Sequence, residues 1–530
     1  MQEDCIKEMI FFMAKMKYWN GSSWEILDAK DADTLDGKHA ETALTTTEKN
    51  DLAGAINEVK SSVDVHKADG AQHAKTARFV IGTSTAGWTL ENCDYLCDGV
   101  NDQVEIIQAL EALPETGGEI VILDGTYNIR ASINIPKDNV SIRGNGNDTI
   151  LKRMYKSTNT DSGSTARGLI TLNGKSGCKI QGLQIDGNET EYTASYNCGI
   201  YLYSSNNNTV TGNTCNNNSY GIRINGNELD SYSNDNTITD NTCYNNDYGI
   251  YLYSSSNNTV TGNTCNNNNY GILLSFSNDN TVTGNTCNNN NIRGIRLSPF
   301  SNDNTITGNT CNNNNFDGID LSSSRGNTVT GNTCNNNKYG ICLSLSSNDN
   351  TITGNTCYNN STGIYLLSSN NNTVTGNTCN NNSTGIDLSS SRGNTVTDNT
   401  CNNNNTGIYL VSSSRNTVTS NTCIRGTGQT SDYDLTQYTI LLKDSDNNYN
   451  LISSNNCMGR AVVIEGGTGN TVFNNKRDAS DDIQNAKTAR FVIGTSTAGW
   501  TAKDCDYLCD GVNDQVEIIQ ALEALPETGG

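Results

Sequence analysis

A short repeat that carries a cysteine in every copy constrains the fold of this chain more than any other feature. The segment NTVTGNTCNNNNYGILLS, residues 258 to 275, has near-copies before and after it. The cysteines of successive Asn-Thr-Cys triplets are separated by 28, 22, 22, 24, 23, 23, 22, 22 and 22 residues. A unit of this length is too short for a pair of helices and suits one turn of a β-solenoid.

The pattern inside each unit predicts the shape of one turn. A T-[V/I]-T alternation is followed by a Gly-Asn turn, Thr-Cys, an Asn-rich turn and G-I-x-L. Period-two alternation between turn residues indicates three short strands separated by tight corners. Asn and Gly suit such corners because they accept left-handed backbone angles at low cost. The chain is therefore predicted to be all-β, a parallel solenoid with coils of about 22 residues.

The cysteine is predicted to be structural. Aligning CKIQGLQI, residues 178 to 185, with NTVTGNTC, residues 208 to 215, puts Cys215 at the place of Ile185, which is an inward, apolar place. Coils stacked about 4.8 Å apart would align these thiols as an internal ladder. Disulfides between neighbouring coils remain open at that spacing. The ten cysteines are Cys215, Cys243, Cys265, Cys287, Cys311, Cys334, Cys357, Cys379, Cys401 and Cys423.

Two further expectations concern the interior. Asn213 and its equivalents are predicted to form a second internal column, with amides that hydrogen-bond from coil to coil. No metal and no cofactor is predicted, because no coil supplies a second ligand type and all three histidines, His39, His66 and His73, precede the solenoid.

These repeats resemble the right-handed parallel β-helix of the pectate-lyase-like superfamily. The segment DGVNDQVEIIQALEALPETGGEIVILDGTYNI, residues 98 to 129, resembles the beginning of such helices in phage tailspikes and polysaccharide lyases. We expect a helix here, opened by a capping box of Asp102 and Glu105, that covers the end of the solenoid. Its apolar side is predicted to consist of Val104, Ile107 and Leu110.

The N-terminal part is similar to modules at the base of phage and prophage tail fibres, on the residues YWNGSSWEILDAKDADTLDGKHA, 18 to 40. Residues 44 to 64 predict a helix with Leu52, Ile56, Val59 and Val63 on one side, either a short oligomerising stub or a lone amphipathic helix.

Residues 486 to 530 repeat residues 74 to 118 with three substitutions, so we expect a truncated second cap. The predicted domains are an attachment module (1–43), a helical stub and linker (44–73), a cap (74–150), the β-helix (151–476), a linker (477–485) and the second cap (486–530).

Composition excludes two classes of partner. With 34 basic against 56 acidic residues, a net charge of -22 gives no electrostatic footprint for nucleic acid or anionic lipid. No stretch reaches the roughly 20 apolar residues that span a bilayer, and MIFFMA, residues 9 to 14, does not have the form of a signal peptide. We expect a virion or extracellular location, reached by lysis or by assembly into a particle.

The outward positions of the G-I-x-L strand vary while the rest of the repeat does not. Tyrosine rings stack on pyranose rings and charged groups hydrogen-bond hydroxyls, so this strip is a candidate glycan-binding site. Neutral drift, with Tyr favoured by β-propensity, is the alternative. The candidate residues are Tyr201, Tyr220, Arg223, Tyr248, Tyr251, Tyr270, Arg293, Arg296, Tyr339, Tyr365, Asp387 and Tyr409.

Asp317 and Asp320, beside Arg293 and Arg296 of the preceding coil, are the candidate catalytic pair, with an ordinary ion pair as the alternative. The predicted function is recognition of a cell-surface polysaccharide by a tail-fibre or tailspike protein. Its partners would be that glycan and other tail or fibre subunits, and the family resemblance implies a homotrimer. The alternatives are a polysaccharide hydrolase or lyase on the same surface, and an adhesive or ice-binding protein that uses the T-x-T face.

Overall fold

A computed structural model describes residues 17–19, 24–26, 77–157, 167–227, 232–476, 492–498, 501, 505–509, 511–512 and 514–524. The chain divides into two units, Met1–Thr76 and Ala77–Gly530. In the first unit, strands β1 (Lys17–Trp19) and β2 (Trp24–Ile26) form an antiparallel pair. The rest of the predicted attachment module, the helical stub at 44–73 and the linker at 477–485 lie outside the described residues.

The second unit is a right-handed parallel β-helix, which confirms the predicted fold class. Strands of successive coils pair in parallel with aligned register. The right hand of the coil is the one that the crossover rule for parallel strands favours. The strands of its first coils are β3 (Arg78–Thr83), β4 (Tyr95–Cys97), β5 (Gly118–Ile122), β6 (Gly125–Ile129), β7 (Ile133–Asn134), β8 (Val140–Arg153), β9 (Gly168–Asn173) and β10 (Lys179–Asp186).

The repeated coils begin after β10. Their strands are β11 (Cys198–Tyr203), β12 (Thr209–Thr211), β13 (Thr214–Asn216), β14 (Tyr220–Asn225), β15 (Thr237–Thr239), β16 (Thr242–Tyr244), β17 (Tyr248–Tyr253), β18 (Thr259–Thr261), β19 (Thr264–Asn266), β20 (Tyr270–Ser275), β21 (Thr281–Thr283), β22 (Arg293–Leu297), β23 (Thr305–Thr307), β24 (Asp317–Ser322), β25 (Thr328–Thr330) and β26 (Tyr339–Ser344). The cysteine strand of the later coils is reduced to single bridges such as Thr286 with Thr310.

The remaining strands complete two long parallel faces. They are β27 (Thr351–Thr353), β28 (Thr362–Leu367), β29 (Thr373–Thr375), β30 (Thr384–Ser389), β31 (Thr395–Thr397), β32 (Thr406–Val411), β33 (Thr417–Thr419), β34 (Tyr438–Leu442), β35 (Leu451–Ser453), β36 (Val463–Ile464) and β37 (Thr471–Phe473), followed by the separate pair β38 (Ile493–Thr495) and β39 (Tyr507–Cys509). One face, which we call the Gly-Ile sheet, contains fourteen strands from β7 to β36 and carries the G-I-x-L segments.

The interior consists of columns of aliphatic residues and thiols. Ile180 pairs with Val210 and Ile185 pairs with Cys215, which is the alignment deduced from the repeat. All ten repeat cysteines are buried and free, and they form one continuous column with the aliphatic core. The structure thus places each of these thiols where a small apolar side chain would pack.

Buried asparagines form ladders, which confirms the predicted amide column. The Asn213 Nδ2 donates to Asn241 Oδ1 at 3.0 Å, and the Asn213 backbone N–H donates to the same oxygen at 3.0 Å. Two further ladders, which the sequence analysis missed, begin at Asn208 and Asn218. Each amide satisfies backbone groups of its corner, so the Asn-rich turns are internally hydrogen-bonded.

The glycine of G-I-x-L is required by close stacking. A Cβ atom added to Gly318 would lie 2.7 Å from the carbonyl oxygen of Gly340 and 2.9 Å from the Cβ of Cys334. The same approach recurs at Gly363, where the carbonyl oxygen of Gly385 would lie 2.6 Å from an added Cβ. Any side chain there would force neighbouring coils apart.

The predicted capping helix exists, but its details differ from the prediction. Helix α1 spans Gln103–Ala112, and its buried face includes Ile106, Ala109 and Leu110, whereas Val104 is exposed and Ile107 only half-buried. The capping box of Asp102 and Glu105 is not formed. Both oxygens of the Asp102 carboxylate accept backbone N–H groups of the loop and of strand β6, from Gly99 (2.7 Å) and Asn128 (2.6 Å), so this side chain fixes the helix to the first coil.

The other helices are short or belong to the second copy of the cap. Helix α2 spans Glu189–Tyr192, helix α3 spans Gln515–Ala524, and 3-10 turns occupy Ser84–Ala86, Thr430–Asp432 and Ser496–Ala498. Among the described residues, no helix has the length and apolar character that a membrane crossing requires.

Candidate glycan-binding face

The predicted strip lies on the outer face of the Gly-Ile sheet, with its residues in register. Tyr201 pairs with Arg223, and Arg223 pairs with Tyr251. The rings of Tyr220, Tyr248 and Tyr270 stack in sequence, with centroids 4.9 and 5.2 Å apart and planes inclined by 9° and 8°. Further along the rod, Tyr339 stacks on Tyr365 at 5.0 Å.

Two residues of this strip are buried, and the other ten are half-buried. Tyr201 and Arg223 are buried, and burial raises the pKa of the Tyr201 hydroxyl above its ordinary value. Each face of the Tyr248 ring is occupied by a neighbouring tyrosine, so a sugar ring has no free face to stack on at that position. Outward orientation in the coil is therefore not the same as exposure to solvent.

The candidate catalytic carboxylates come together with both arginines. Arg293 Nε lies 2.5 Å from an Asp317 oxygen and 3.2 Å from an Asp320 oxygen, and Arg296 Nε lies 3.2 Å from the same Asp320 oxygen. Burial raises the pKa of Asp320 to about 7 and also raises the pKa of Asp317, against the opposing effect of the arginines. A carboxyl group with such a pKa suits acid catalysis, but each side chain is only 2% exposed. A catalytic role stays a prediction.

Asp387 and the tyrosines on either side of it occupy the last third of the strip. Tyr365 pairs with Asp387, and Asp387 pairs with Tyr409. Ser389 Oγ donates to Asp387 Oδ1 at 2.8 Å, while burial raises the pKa of this carboxyl to about 6. All three side chains are half-buried and reach the surface.

A groove at the corner next to the strip was missed by the sequence analysis. It has a volume of about 640 Å³ and is lined by Tyr232, Tyr253, Phe276 and Phe300 together with asparagine and serine side chains. Tyr232, Phe276 and Phe300 are 53%, 44% and 61% exposed. Successive rings follow the coils, with centroids 5.7 Å apart from Tyr253 to Phe276 and from Phe276 to Phe300. We call this set the aromatic groove.

The backbone at the aromatic groove is unusual for bulky residues. Phe276 has a φ of 53° and Phe300 a φ of 60°, in the left-handed region, whereas Ser254 and Ser323 occupy comparable corners of other coils. A bulky residue in this region is an outlier that costs about 1 to 3 kcal/mol, and Leu345 of a later coil shares the conformation with a φ of 54°. The signal in the sequence was a phenylalanine in a run that otherwise ends in serine, as in GILLSFS.

Amide groups supply the polar side of the aromatic groove. The Oδ1 atoms of Asn234, Asn278 and Asn302 accept backbone N–H groups of the following coil at 2.8, 2.8 and 2.9 Å. Each of these asparagines lines the groove, so its Nδ2 group is left there as a donor for a hydroxyl oxygen. Exposed rings beside amide donors make a surface suited to a sugar chain.

The T-x-T columns lie on a different strand of each coil, and two insertions, residues 226–233 and 424–447, interrupt the regular repeat. Thr259 and Thr261 stand in register with Thr237 and Thr239, so outward threonines form two columns along the rod, and an ice-binding use of them stays a prediction. Within the second insertion, the Asp432 carboxylate accepts a hydrogen bond from Thr427 Oγ1 at 2.7 Å and thereby closes its own turn. In the first insertion, Glu228 and Asp230 lie outside the described residues, whereas Tyr232 lines the aromatic groove.

The fold and the aromatic groove define a repetitive β-helix protein with a long outward face. A family described as "Periplasmic copper-binding protein (NosD)" matches residues 132–314, 228–362 and 346–482, which together cover more than half of the chain. The chain therefore belongs to the NosD family. No curated protein matches the chain.

Several solved structures are similar. The pre-mature bacteriophage phi29 gene product 12 aligns with a TM-score of 0.55 at 14% identity, over 75% of this chain and 57% of that one. The Dettilon tailspike protein aligns with a TM-score of 0.45 at 19% identity, over 69% of this chain and 66% of that one. The Azotobacter vinelandii mannuronan C-5 epimerase AlgE6 A-module aligns with a TM-score of 0.37 at 15% identity, over 72% of this chain and 97% of that one. At these identities the likeness shows the fold alone.

The described residues do not fit a copper site, although the family description names that metal. The column thiols are soft ligands, but they follow one another in single file through the aliphatic core, and in the described part of the chain no three of them lie within 4.8 Å of one another. Cys97, Asp102 and Glu105 lie within 4.8 Å of one another, but the carboxylate of Asp102 is already held by two backbone N–H groups. The proposed function does not require copper.

Proposed function

We propose that this protein is a receptor-binding rod that recognises an extended polysaccharide along the edge of the Gly-Ile sheet. The observation that carries the proposal is the aromatic groove, in which exposed rings follow one another at the spacing of the coils. A polysaccharide of repeating sugar residues can bind to a surface of repeating coils, because the ring and the amide of each coil can make the same contacts with the next sugar residue. Aromatic stacking and amide donors would supply affinity and orientation respectively.

The proposal includes a setting for the rod. We place it on a phage or prophage tail, as a homotrimer with other tail or fibre subunits, recognising a glycan of the host cell surface. What supports this setting is the similarity of residues 18 to 40 to tail-fibre base modules. Trp19 and Trp24, which pair across strands β1 and β2, belong to that segment.

The experiment that tests the proposal measures retention of polysaccharides from candidate hosts on the purified protein. The variant Phe276→Ala/Phe300→Ala removes two rings of the aromatic groove. Stacking contributes about 0.5 to 1.5 kcal/mol per aromatic pair, so we expect retention to fall about tenfold or more. Leu345→Ala is the matched control, since Leu345 is an exposed apolar residue at a corner of a later coil. If the parent protein, the double variant and Leu345→Ala retain equal amounts of polysaccharide, the aromatic groove is not part of the binding site.

The same incubation separates binding from cleavage. New sugar ends would show a depolymerase and would lead to Asp317→Asn and Asp320→Asn as the next variants. Retention without new ends is the expected result, because both carboxylates are buried in ion pairs with Arg293 and Arg296.

A further inference from the structure

Four consecutive coils each contribute one ring to the aromatic groove. Tyr232 precedes strand β15, Tyr253 ends strand β17, Phe276 directly follows strand β20, and Phe300 follows strand β22. All four side chains line the groove. The groove therefore runs across the coils, along the axis of the rod, rather than along the strands of a single coil.

Each of these coils also contributes a polar side chain to the aromatic groove. The four polar residues are Asn234, Ser256, Asn278 and Asn302. Asn234 Oδ1 accepts the backbone N–H of Ser256 at 2.8 Å, Ser256 Oγ accepts that of Asn278 at 3.4 Å, and Asn278 Oδ1 accepts that of Asn302 at 2.8 Å. These bonds fix the order of the four side chains along the rod. One ring and one polar side chain thus recur at the coil spacing of about 4.8 Å.

This spacing selects the backbone of the ligand. In a pyranose chain that is joined by equatorial bonds, each sugar advances the chain by one ring length, which is close to the coil spacing of about 4.8 Å. Successive sugars of such a chain meet successive rings, and each places a pyranose face on an aromatic face. A chain that is joined through axial bonds winds into a helix and turns its next sugar away from the row of rings.

The row of rings is twisted rather than flat. The plane of the Tyr253 ring is inclined by 66° to that of Phe276, and the plane of Phe276 by 35° to that of Phe300. A flat row would match the flat face of a crystalline polysaccharide, in which the chains are held in one orientation. A twisted row matches a single chain in solution, because such a chain can rotate about its glycosidic bonds to fit each ring.

The charges around the aromatic groove disfavour acidic polymers. All side chains that line the groove are uncharged. Three of its polar residues are followed by an exposed aspartate, namely Asp235, Asp279 and Asp303, and the exposed Arg325 of the next coil offsets one of these charges. Carboxylates at this corner, together with the net charge of -22, repel a chain that has an acid group on every sugar.

We propose that the aromatic groove binds a single soluble chain of a neutral, β-1,4-linked polysaccharide that lies along the axis of the rod. One sugar stacks on each of the four rings, so the site holds four sugars. This inference rests on the proposed function and names the class of its ligand.

The test measures the binding of matched oligosaccharides to the full chain by isothermal titration calorimetry. The neutral, extended probes are the β-1,4-linked hexamers of glucose, mannose and N-acetylglucosamine. Maltohexaose contains the same glucose with axial linkages, and the β-1,4-mannuronate hexamer has the mannan backbone with a carboxylate on each sugar. We expect at least one neutral, extended probe to bind about tenfold or more tightly than maltohexaose and the mannuronate hexamer.

The length of the probe tests the assignment of one sugar to each ring. From the dimer to the tetramer, affinity should rise about two- to tenfold with each added sugar, and then it should level off. Phe300→Ala and Tyr232→Ala each remove a ring at one end of the row, so in either variant affinity should level off at the trimer. Leu345→Ala, at an exposed corner residue of a later coil, should still level off at the tetramer.

The outcomes separate the two proposals. If host polysaccharides are retained but maltohexaose or the mannuronate hexamer binds as tightly as the extended probes, or if no probe binds, the ligand class is overturned and glycan recognition stands. If neither probes nor host polysaccharides bind, both proposals are overturned. Retention on the crystalline polymer as strong as on its soluble chains would overturn the single-chain mode. An unchanged length dependence in both end variants would show that the rings are not the sugar subsites.

Discussion

Asn263 and Asn285 are joined by two hydrogen bonds to a single oxygen. The side-chain Nδ2 of Asn263 donates to Asn285 Oδ1 at 3.0 Å, and the backbone N–H of Asn263 donates to it at 2.9 Å. Both residues are buried, and Asn285 passes the pattern on to Asn309. Each amide in the ladder therefore depends on the coil on either side of it.

Replacing one member of this ladder should destabilise several coils. Asn285→Ala removes the acceptor of two donors on Asn263 and leaves the carbonyl of Val260 without its 2.9 Å donor. Each buried group left unsatisfied costs about 1 to 3 kcal/mol, so we expect the free energy of unfolding to fall by about 3 kcal/mol or more. Urea unfolding measures this. Asn291→Ala, at an exposed asparagine, should stay within about 0.5 kcal/mol of the parent protein.

The interior thiols should be unreactive until the β-helix unfolds. Burial raises the pKa of Cys311 and excludes reagents from it, whereas Cys505 in the second copy of the cap is half-buried. We expect alkylation of the native protein, mapped by mass spectrometry, to label Cys505 and to spare Cys311. Labelling of Cys311 at the same rate as Cys505 in native buffer would show that the column opens without global unfolding.

Stability and binding should change in opposite directions at Phe276. Glycine adopts a φ of 53° without strain, so Phe276→Gly should raise the free energy of unfolding by about 1 kcal/mol while it weakens glycan retention. Leu345→Gly relieves the same kind of strain at φ 54° outside the aromatic groove and should leave retention unchanged. A loss of stability in Phe276→Gly would mean that the ring supports the coil rather than a ligand.

Stability should decline as the pH rises from the ordinary carboxyl pKa of 3.8 to the folded-state values of about 6 and 7. Burial raises the pKa of Asp387 to about 6 and that of Asp320 to about 7, above the ordinary 3.8. Each carboxyl has a higher pKa in the folded state than in the unfolded state, so the folded state holds its proton more tightly. The stabilisation by these protons is fully present below the unfolded-state pKa and is lost as the pH rises through the folded-state pKa.

The Tm should therefore be higher at pH 5 than at pH 8. Asp387→Asn is neutral at every pH and should reduce this difference, whereas Asp303→Asn, at an exposed position, should not. An unchanged difference in Asp387→Asn would show that Asp387 ionises as an ordinary surface carboxyl does.

Several features of the interior could be predicted because the repeat packs against itself. Once Cys215 is aligned with Ile185, the same rule places each later cysteine, since every coil meets a near-copy of its own sequence. The same reasoning predicted the Asn213 ladder, and it could have predicted the ladders from Asn208 and Asn218, whose positions recur as regularly.

The sites on the outer face were harder to predict. The period fixed which residues point outward, but not which of them their neighbours cover, so Tyr201 and Arg223 of the strip and the candidate catalytic residue Asp320 are buried in the structure. The aromatic groove combines corner residues of different coils, and none of its phenylalanines belongs to the repeat pattern.

By itself, the sequence determined the coil, its period, its inward thiols and one of its amide ladders, because each of these depends on contacts between copies of one motif. Only the tertiary structure decided which face of helix α1 is buried and how Phe276 and Phe300 join in one groove. The physical reason is that these contacts join unlike segments, whose side-chain directions depend on the specific packing of each partner rather than on a repeated local rule.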